Sequence, residues 1–467
     1  MPNNDDDNDS RTEPQDQEVE TNISVVVGYA FGPKKMKSMG FVMAEASRAE
    51  FVMVEAPRAE VISEEDDSCD EHQHFQCLVA PQTVFPVLGI EKSIQSSLTT
   101  ESLRCLEKAS KKSSNLKGFL RHFWSTCSSN GGSVTETASS TPTTCAPIAS
   151  RPRLSIQISF VPLDPNSPFE DQCGRDLDLI LHKLTEDILS CTLGNCDPLA
   201  RARVERLSQY QRNHPNCCML DDPKNVMTLM SRSDIAMRLH ICLKGVTTAN
   251  GIVVHAPKYI VIKEDTSQLR KQLSSAGLTL PLIVKPLVAA GTKQSHHMTI
   301  AVKESAILNG IPSNSLIQEY VNHNQKLYKV YVMGTRVHVY ERASLPNLPA
   351  DVAEKASTDL VKFDSQHPYP QLKDFGISSC NKSPMTRLMP VTPDEVMPLV
   401  VSLKRAFGLE LFGFDILISS DHNEWLVVDV NYFPSYKEVP DFPQQLANYL
   451  AQRVLRQRCQ NMESSYN

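Results

Sequence analysis

Read for the alternation of apolar and polar positions, the chain first shows order at Ile23-Ser24-Val25-Val26-Val27-Gly28. This β-branched run ends in glycine and is followed by Lys34, Lys35 and Lys37 and a helix-compatible stretch. The pattern predicts strand, loop and helix, with a phosphate able to sit at the loop. Periodicity is lost from Ser63 to about Ser150 and returns at Leu154, where Ile156, Ile158, Phe160 and Val161 predict a second strand of the same domain. Residues 176–183, DLDLILHK, predict a third strand ending in a histidine and a lysine, with helical pattern to about Arg212. Beyond Leu220 the pattern predicts a helix near 227–243, strands at 259–262 and 282–285, and a glycine-containing loop at 289–297. Strands follow at 316–320, 328–333, 336–340, 412–418 and 424–430, and a helix at 442–456 closes the chain. The order implies an α/β N-terminal domain at 22–219, interrupted by an insertion at 63–150, and an α+β domain at 220–455.

Length agrees, since 467 residues make about three units at roughly 150 each. Residues 1–21 carry eight acids against Arg11 alone, too polar and charged to offset the entropy of ordering, and are expected to be a disordered acidic tail. The rest balances at 46 acids and 46 bases, which argues against a nucleic-acid-coating protein and makes any positive site a local cluster. Decapeptides FVMAEASRAE at 41–50 and FVMVEAPRAE at 51–60 are adjacent copies; one duplication is no solenoid. Within 63–150 an acidic cluster, a basic stretch near Lys108 and a Ser/Thr-rich tract read as a long low-complexity insertion, and His72 and His74 there lack a fixed metal-ligand pattern. Thirteen cysteines with no CxxC pair read as reduced thiols. With no signal-like start and no apolar run near the ~20 residues that span a bilayer, a cytoplasmic or also nuclear monomer without a membrane partner is expected.

Three stretches carry candidate chemistry. Asp415 interrupts the apolar run 411–418, and Asp429 and Asn431 lie in 425–431, where strand alternation puts them on one face. The short turn at 419–423 makes the two runs a hairpin with Asp415 beside Asp429, an oxygen donor set suited to Mg²⁺. The alternative is that one acid pairs with a buried lysine or arginine. Lys285 closes a strand before the small-residue loop 286–297, which either approaches nucleotide phosphates or is an ordinary turn; it lacks Walker A spacing. Lys329 interrupts the strand at 328–332, so it needs an anionic partner unless that face is solvated.

In order, the blocks VVVGYAFGPKK, LILHKLTEDIL, LIVKPLVAAGTKQSHHM, IQEYVNHNQKLYKVYVMG, RASLPN, LFGFDILI and VVDVNYFPSYKEVPD resemble those of the inositol 1,3,4-trisphosphate 5/6-kinase (inositol-tetrakisphosphate 1-kinase) family, and the last is similar to plant members. The resemblance covers 22 to about 40 and 154 to about 450. It implies an ATP-grasp fold and an ATP-dependent kinase acting on inositol polyphosphates such as inositol 1,3,4-trisphosphate or an inositol tetrakisphosphate. It further implies that Lys35, Lys183, His296 and Lys329 hold substrate phosphates, and that Lys285 and Lys329 contact ATP phosphates. The backbone of Gln318, Glu319, Tyr320 and Val321 would recognise adenine, Ser344 would touch ATP, and Arg342 is a weaker candidate. Asp415, Asp429 and Asn431 would ligate Mg²⁺, two ions in all, with Asn431 also near the substrate. His296 is a candidate for taking the hydroxyl proton, though phosphate binding is its first role. Met227 stands where some members have an ATP-contacting arginine, and Ser435 replaces the glycine of FPGY. Rival readings are an ATP-grasp carboxylate–amine ligase and a pseudokinase that binds inositol phosphate without turnover.

Overall fold

The computed structural model describes residues 21–48, 51–54, 153–192, 196–263, 268–378, 390–420, 422 and 424–464. The expectations for the acidic tail up to residue 20, the insertion, His72 and His74 lie outside them. The described residues fall into two compact units, the larger within 25–49 and 158–454, the smaller within 1–24, 50–157 and 455–467.

Strand β1 (Thr21–Phe31) and helix α1 (Pro33–Ala46) follow the expected order. The duplication then splits: FVMAEA of the first copy ends α1, while FVMV of the second forms β2 (Phe51–Val54). The first difference between the copies is Ala44 against Val54, and alanine is the best helix former whereas valine's branched Cβ fits an extended chain. In the smaller unit β2 pairs antiparallel with the start of β3 (Arg153–Pro162), Phe51 opposite Ile156.

In the larger unit β4 (Leu179–Lys183) begins later than the pattern predicts. Asp178 is bonded to β1 instead: its N–H donates to the Val26 carbonyl at 2.9 Å and its carboxylate accepts from the Val26 N–H at 2.8 Å. Next come α2 (Thr185–Thr192), α3 (Pro198–Asn213) and β5 (Cys218–Leu220). Strands β1, β4 and β5 are parallel, in the order β3-β1-β4-β5, and Phe31 faces Lys183. All of Leu179 to His182 is buried, as in a parallel strand covered on both faces. Val26, Leu163, Phe169, Leu207 and Tyr210 build the core beside it.

The helix expected at 227–243 is present as α5 (Arg232–Cys242); its first residues instead end α4 (Pro223–Met227) and form a 3₁₀ turn. Ser231 makes the break by capping α5, its hydroxyl accepting from the Asp234 N–H at 3.4 Å. After β6 (Val254–His255) come β7 (Tyr259–Ile262), α6 (Leu269–Ser275), β8 (Leu282–Pro286), β9 (His297–Ala301), α7 (Glu304–Asn309) and β10 (Ser315–Glu319). The remainder is β11 (Lys326–Met333), β12 (Arg336–Ala343), α8 (Val352–Lys355), β13 (Leu360–Asp364), α9 (Pro393–Phe407), β14 (Leu411–Ile418), β15 (Trp425–Tyr432) and α10 (Phe442–Ser464). One antiparallel sheet runs β13-β9-β8-β10-β7; a second runs β12-β11-β14-β15-β6, with only β6 parallel to its neighbour. The pattern reading passed over α9, although Thr392 and Glu395 form a capping box, Pro393 opens the helix and Gly408 closes it at φ +64. No described helix is long and apolar enough to cross a membrane.

Gly334 turns the chain between β11 and β12 at φ +63, where a Cβ would stand 2.3 Å from Tyr449 Cε2. Gly334→Ala should lose about 1–3 kcal/mol through φ strain and overpacking against that buried ring. A lowered denaturation midpoint with unchanged m-value tests this; an unshifted midpoint would show that the ring moves aside freely.

Candidate functional site

The β14–β15 hairpin is apolar on both sides of one position. Phe412, Phe414, Ile416, Leu426 and Val427 are buried, and among them Asp415 stands directly opposite Asp429. The register slips at this point, Asp415 facing Asp429 but Ile416 facing Val427, which leaves Val428 as the extra residue of a bulge. On its other side Asp415 faces Lys329 of β11, whose Nζ lies 3.0 Å from Asp415 Oδ1. Asn431, two residues beyond Asp429 and on its face, donates from Nδ2 to Asp429 Oδ2 at 3.0 Å. Burial raises the Asp415 carboxyl above its ordinary value; Lys329 pulls against this and Asp429 adds to it.

A second lysine arrives from the other sheet. Lys285 of β8 donates to the Val428 carbonyl, 3.4 Å away, the group that the bulge takes out of the ladder. Burial lowers its ammonium to about 8, against the pull of Asp429 and Asp415 and with the push of Arg232. Arg232, the first residue of α5, is buried, and its guanidinium donates to the carbonyls of Pro286 (2.7 Å), Val288 (2.9 Å) and Ser295 (2.8 Å). It fastens the loop after Lys285 at three points. The sequence reading missed it because an arginine early in a helix looks solvated; the small-residue loop that needs carbonyl partners was the available signal.

The remaining basic residues close on the segment after β15. Lys183 donates to the carbonyls of Tyr432 (2.8 Å) and Phe433 (2.6 Å), and Lys35 to those of Phe433 (3.5 Å) and Pro434 (3.2 Å). The Lys35 ammonium also lies 4.2 Å from the centre of the Phe433 ring. Phe433 and Tyr436 have φ of +36 and +51, unfavourable for side-chain-bearing residues, and Tyr436 is pinned by donating to the Val332 carbonyl at 2.6 Å. Lys183, Lys329 and Asn431 line one cavity of about 220 Å³, together with Thr185, Met230, Ala289 and Pro434. Thr185 was also missed from sequence; its buried hydroxyl has no hydrogen-bond partner.

Other expected residues stand differently. His296 is not in the lining of this cavity; its ring meets Gln366 Nε2 at 2.9 Å and Ser365 Oγ at 3.4 Å. Gln318 and Glu319 end β10, the Tyr320 hydroxyl donates to the Pro346 carbonyl at 2.5 Å, and the Val321 carbonyl accepts from His323 Nδ1 at 2.6 Å. The Ser344 hydroxyl lies 2.8 Å from His323 Nε2, and burial lowers the His323 imidazole below its ordinary range. Arg342 is ion-paired with Glu438, which also accepts from the Tyr331 hydroxyl at 2.6 Å. Met227 ends α4 just before the cavity-lining Leu229 and Met230, and Ser435 is exposed beside Pro434.

No group of three His, Cys, Asp or Glu suited to a metal occurs among the described residues. The set here is two carboxylates and an amide. Its chemistry nevertheless fits a hard divalent cation: all donors are oxygens, the carboxylates face one another in an apolar hairpin, and the cavity reaches Asn431.

Residues 249–452 match the family model described as the inositol 1,3,4-trisphosphate 5/6-kinase ATP-grasp domain, and residues 149–226 that of the pre-ATP-grasp domain. The chain is 30% identical over 294 residues to inositol-tetrakisphosphate 1-kinase 6 of Oryza sativa subsp. indica, covering 60% of this chain and 52% of that one. It is 30% identical over 296 residues to inositol-tetrakisphosphate 1-kinase 3 of Glycine max, covering 63% and 76%. With inositol-tetrakisphosphate 1-kinase of Danio rerio the identity is 29% over 303 residues, covering 65% and 73%. The chain thus spans about half the length of the rice relative.

Lys35 supplies a pH test. Burial, aided by Lys183, lowers it from 10.5 to about 6, so between those values the unfolded chain holds a proton the folded chain has lost. Its destabilising effect is full below pH 6 and is relieved as pH rises toward 10.5. Lys35→Met should therefore melt above the wild type at pH 6–7, with the difference shrinking toward pH 10; a pH-independent offset would contradict the depressed ammonium.

Proposed function

The chain belongs to the inositol 1,3,4-trisphosphate 5/6-kinase family, and from that premise we propose that it transfers the γ-phosphoryl group of ATP to a ring hydroxyl of an inositol polyphosphate. Candidate acceptors are inositol 1,3,4-trisphosphate, at the 5- or 6-position, and an inositol tetrakisphosphate at the 1-position. The observation that carries the reading is the facing pair Asp415 and Asp429, with Asn431 extending from that pair into a cavity that Lys183 and Lys329 also line.

In this reading Asp415, Asp429 and Asn431 hold two Mg²⁺ ions, which when bound would offset the charge on the transferring phosphate oxygens. The chain's own residues position and neutralise. Lys329, 3.0 Å from Asp415 and in the cavity wall, serves the phosphates of both ATP and the inositol in this reading. Lys285 takes the ATP phosphates, the backbone of Gln318 to Val321 takes the adenine, and Ser344 completes the nucleotide contacts. Lys35, Lys183 and His296 hold the inositol phosphates, with Asn431 at the boundary between metal and substrate, and His296 can also take the hydroxyl proton. Phosphoryl transfer asks chiefly for alignment and charge neutralisation, so this set needs no covalent nucleophile.

Purified protein with ATP, Mg²⁺ and a panel of inositol phosphates, resolved by isomer-separating chromatography, should yield a more phosphorylated inositol. Asp415→Asn should lower turnover by about a hundredfold or more while leaving the melting transition cooperative. Binding of a polyphosphorylated inositol without ATP consumption, trapping of an acyl phosphate with amino-acid substrates, or full activity in Asp415→Asn would each overturn the assignment.

A further inference from the structure

Cys191 and Cys196 take no part in the chemistry above. Cys191 lies in the last turn of α2 and Cys196 two residues before α3, and their sulfurs are 3.3 Å apart. Both thiols are partly exposed, unlike the buried Cys217 and Cys218. Their backbones are held in place by neighbours. The Asp197 N–H donates to Ser190 Oγ at 3.1 Å, and the Asp197 carboxylate caps α3 by accepting from the Leu199 N–H at 3.1 Å. Across the two helices Arg203 pairs with Asp187 at 2.8 Å. The sulfurs would need to close by roughly 1.3 Å to reach the ~2.05 Å of a disulfide bond.

The two thiols are unequal. Partial burial works to raise Cys196, but a hydrogen bond from Cys191 and the hydrogen bond and charge of Arg201 bring it below the ordinary thiol range. Burial, with the Cys196 contact adding to it, pushes Cys191 up to about 11. The thiol that gives up its proton more readily therefore stands 3.3 Å from one that holds its proton, the arrangement of an attacking and a resolving cysteine in reversible thiol oxidation.

The helix that carries Cys191 also reaches the cavity. Its first residue, Thr185, lines the cavity with Ala289 and Ala290, and Leu189 packs so closely on the next part of that loop that a Cβ on Gly291 would stand 2.9 Å from its Cδ2. We propose that Cys191 and Cys196 are an oxidation site that forms a reversible disulfide with a peroxide as oxidant, and that closing it slows turnover by restraining α2 against the 289–291 loop. The Cys196 thiolate attacks a peroxide oxygen, forming S–O and breaking O–O, and the leaving oxygen takes up protons as water. Cys191 sulfur then displaces the sulfenic oxygen as a second water. In sum, two thiols give up two electrons and two protons as one hydrogen peroxide becomes two waters.

The kinetic half of the proposal rests on the kinase reading; the chemical half does not. The full chain, reduced and then titrated with hydrogen peroxide, is alkylated, digested and mapped by mass spectrometry. A 191–196 crosslink is expected, reversed by dithiothreitol and absent in Cys196→Ser. Turnover should fall about threefold or more on oxidation and recover on reduction, with Cys191→Ser insensitive, as when a loop closure is restrained. Recovery of both residues as alkylated thiols at peroxide doses that oxidise other cysteines would overturn the proposal, as would a crosslink with turnover unchanged. Should the reduced protein phosphorylate no inositol phosphate, the kinase reading falls and the crosslink map still decides the oxidation site.

Discussion

The structure is arranged around two carboxylates that face each other across an apolar hairpin. Like charges directly opposite in a sheet repel, and taking them out of water makes the repulsion stronger. Asp415 and Asp429 are nevertheless aligned by the register, and the slip beside them fixes that alignment. Compensation comes from elements far apart in the chain: Lys329 on the neighbouring strand, Lys285 from the other sheet, and Arg232 from the start of α5, which acts on both Asp429 and Lys285. Three cations around two anions make the hairpin a charged centre, and the β8 sheet is tied to it through Lys285 and the bulge carbonyl of Val428.

The cations of the site are satisfied in two different ways. Arg232 directs its donors to three carbonyls of one loop and is buried there, so its bonds are structural. Lys35 and Lys183 instead clasp carbonyls of Tyr432, Phe433 and Pro434, in a segment whose backbone includes two left-handed non-glycine residues. An anion brought to the Lys183 ammonium exchanges a neutral carbonyl acceptor for a charged one, and the same anion favours the protonated form of Lys35 that burial disfavours. A lysine held in this manner is ordered in advance yet can be won by a phosphate, which lowers the entropy lost on binding.

What the sequence made legible was whatever depends on local alternation. The hairpin at 411–431, Asp429 and Asn431 sharing a face, and Lys329 breaking an apolar strand all follow from the two-residue period of a strand, and the structure brings Asp415, Asp429, Asn431, Lys329 and Lys285 together. What it hid depends on distant partners. Nothing near Arg342 announces Glu438, nothing near Ser344 announces that His323 takes its hydroxyl, and Arg232 looks like any helical arginine until its three carbonyls are seen. The duplication shows the intermediate case. Its copies differ by one residue over the first six, and Ala44 lies in the last turn of a helix where Val54 ends a strand, so local propensity contributes but the partner strand β3 completes the choice.

The distribution of charge narrows the ligand class more than any single residue. The paired carboxylates call for cations, while Lys183 and Lys329 in the cavity wall and Lys35 behind Phe433 call for anions. A plain anion would leave the acids facing each other, and a bare divalent cation would meet the ammonium of Lys329 beside Asp415. Both demands are met together by a polyanion accompanied by divalent cations: the carboxylates would hold the metal and the lysines the anionic oxygens. Asn431, which contacts Asp429 and lines the cavity of about 220 Å³ that Lys183 and Lys329 share, is the residue through which the acidic and basic halves of the site are joined.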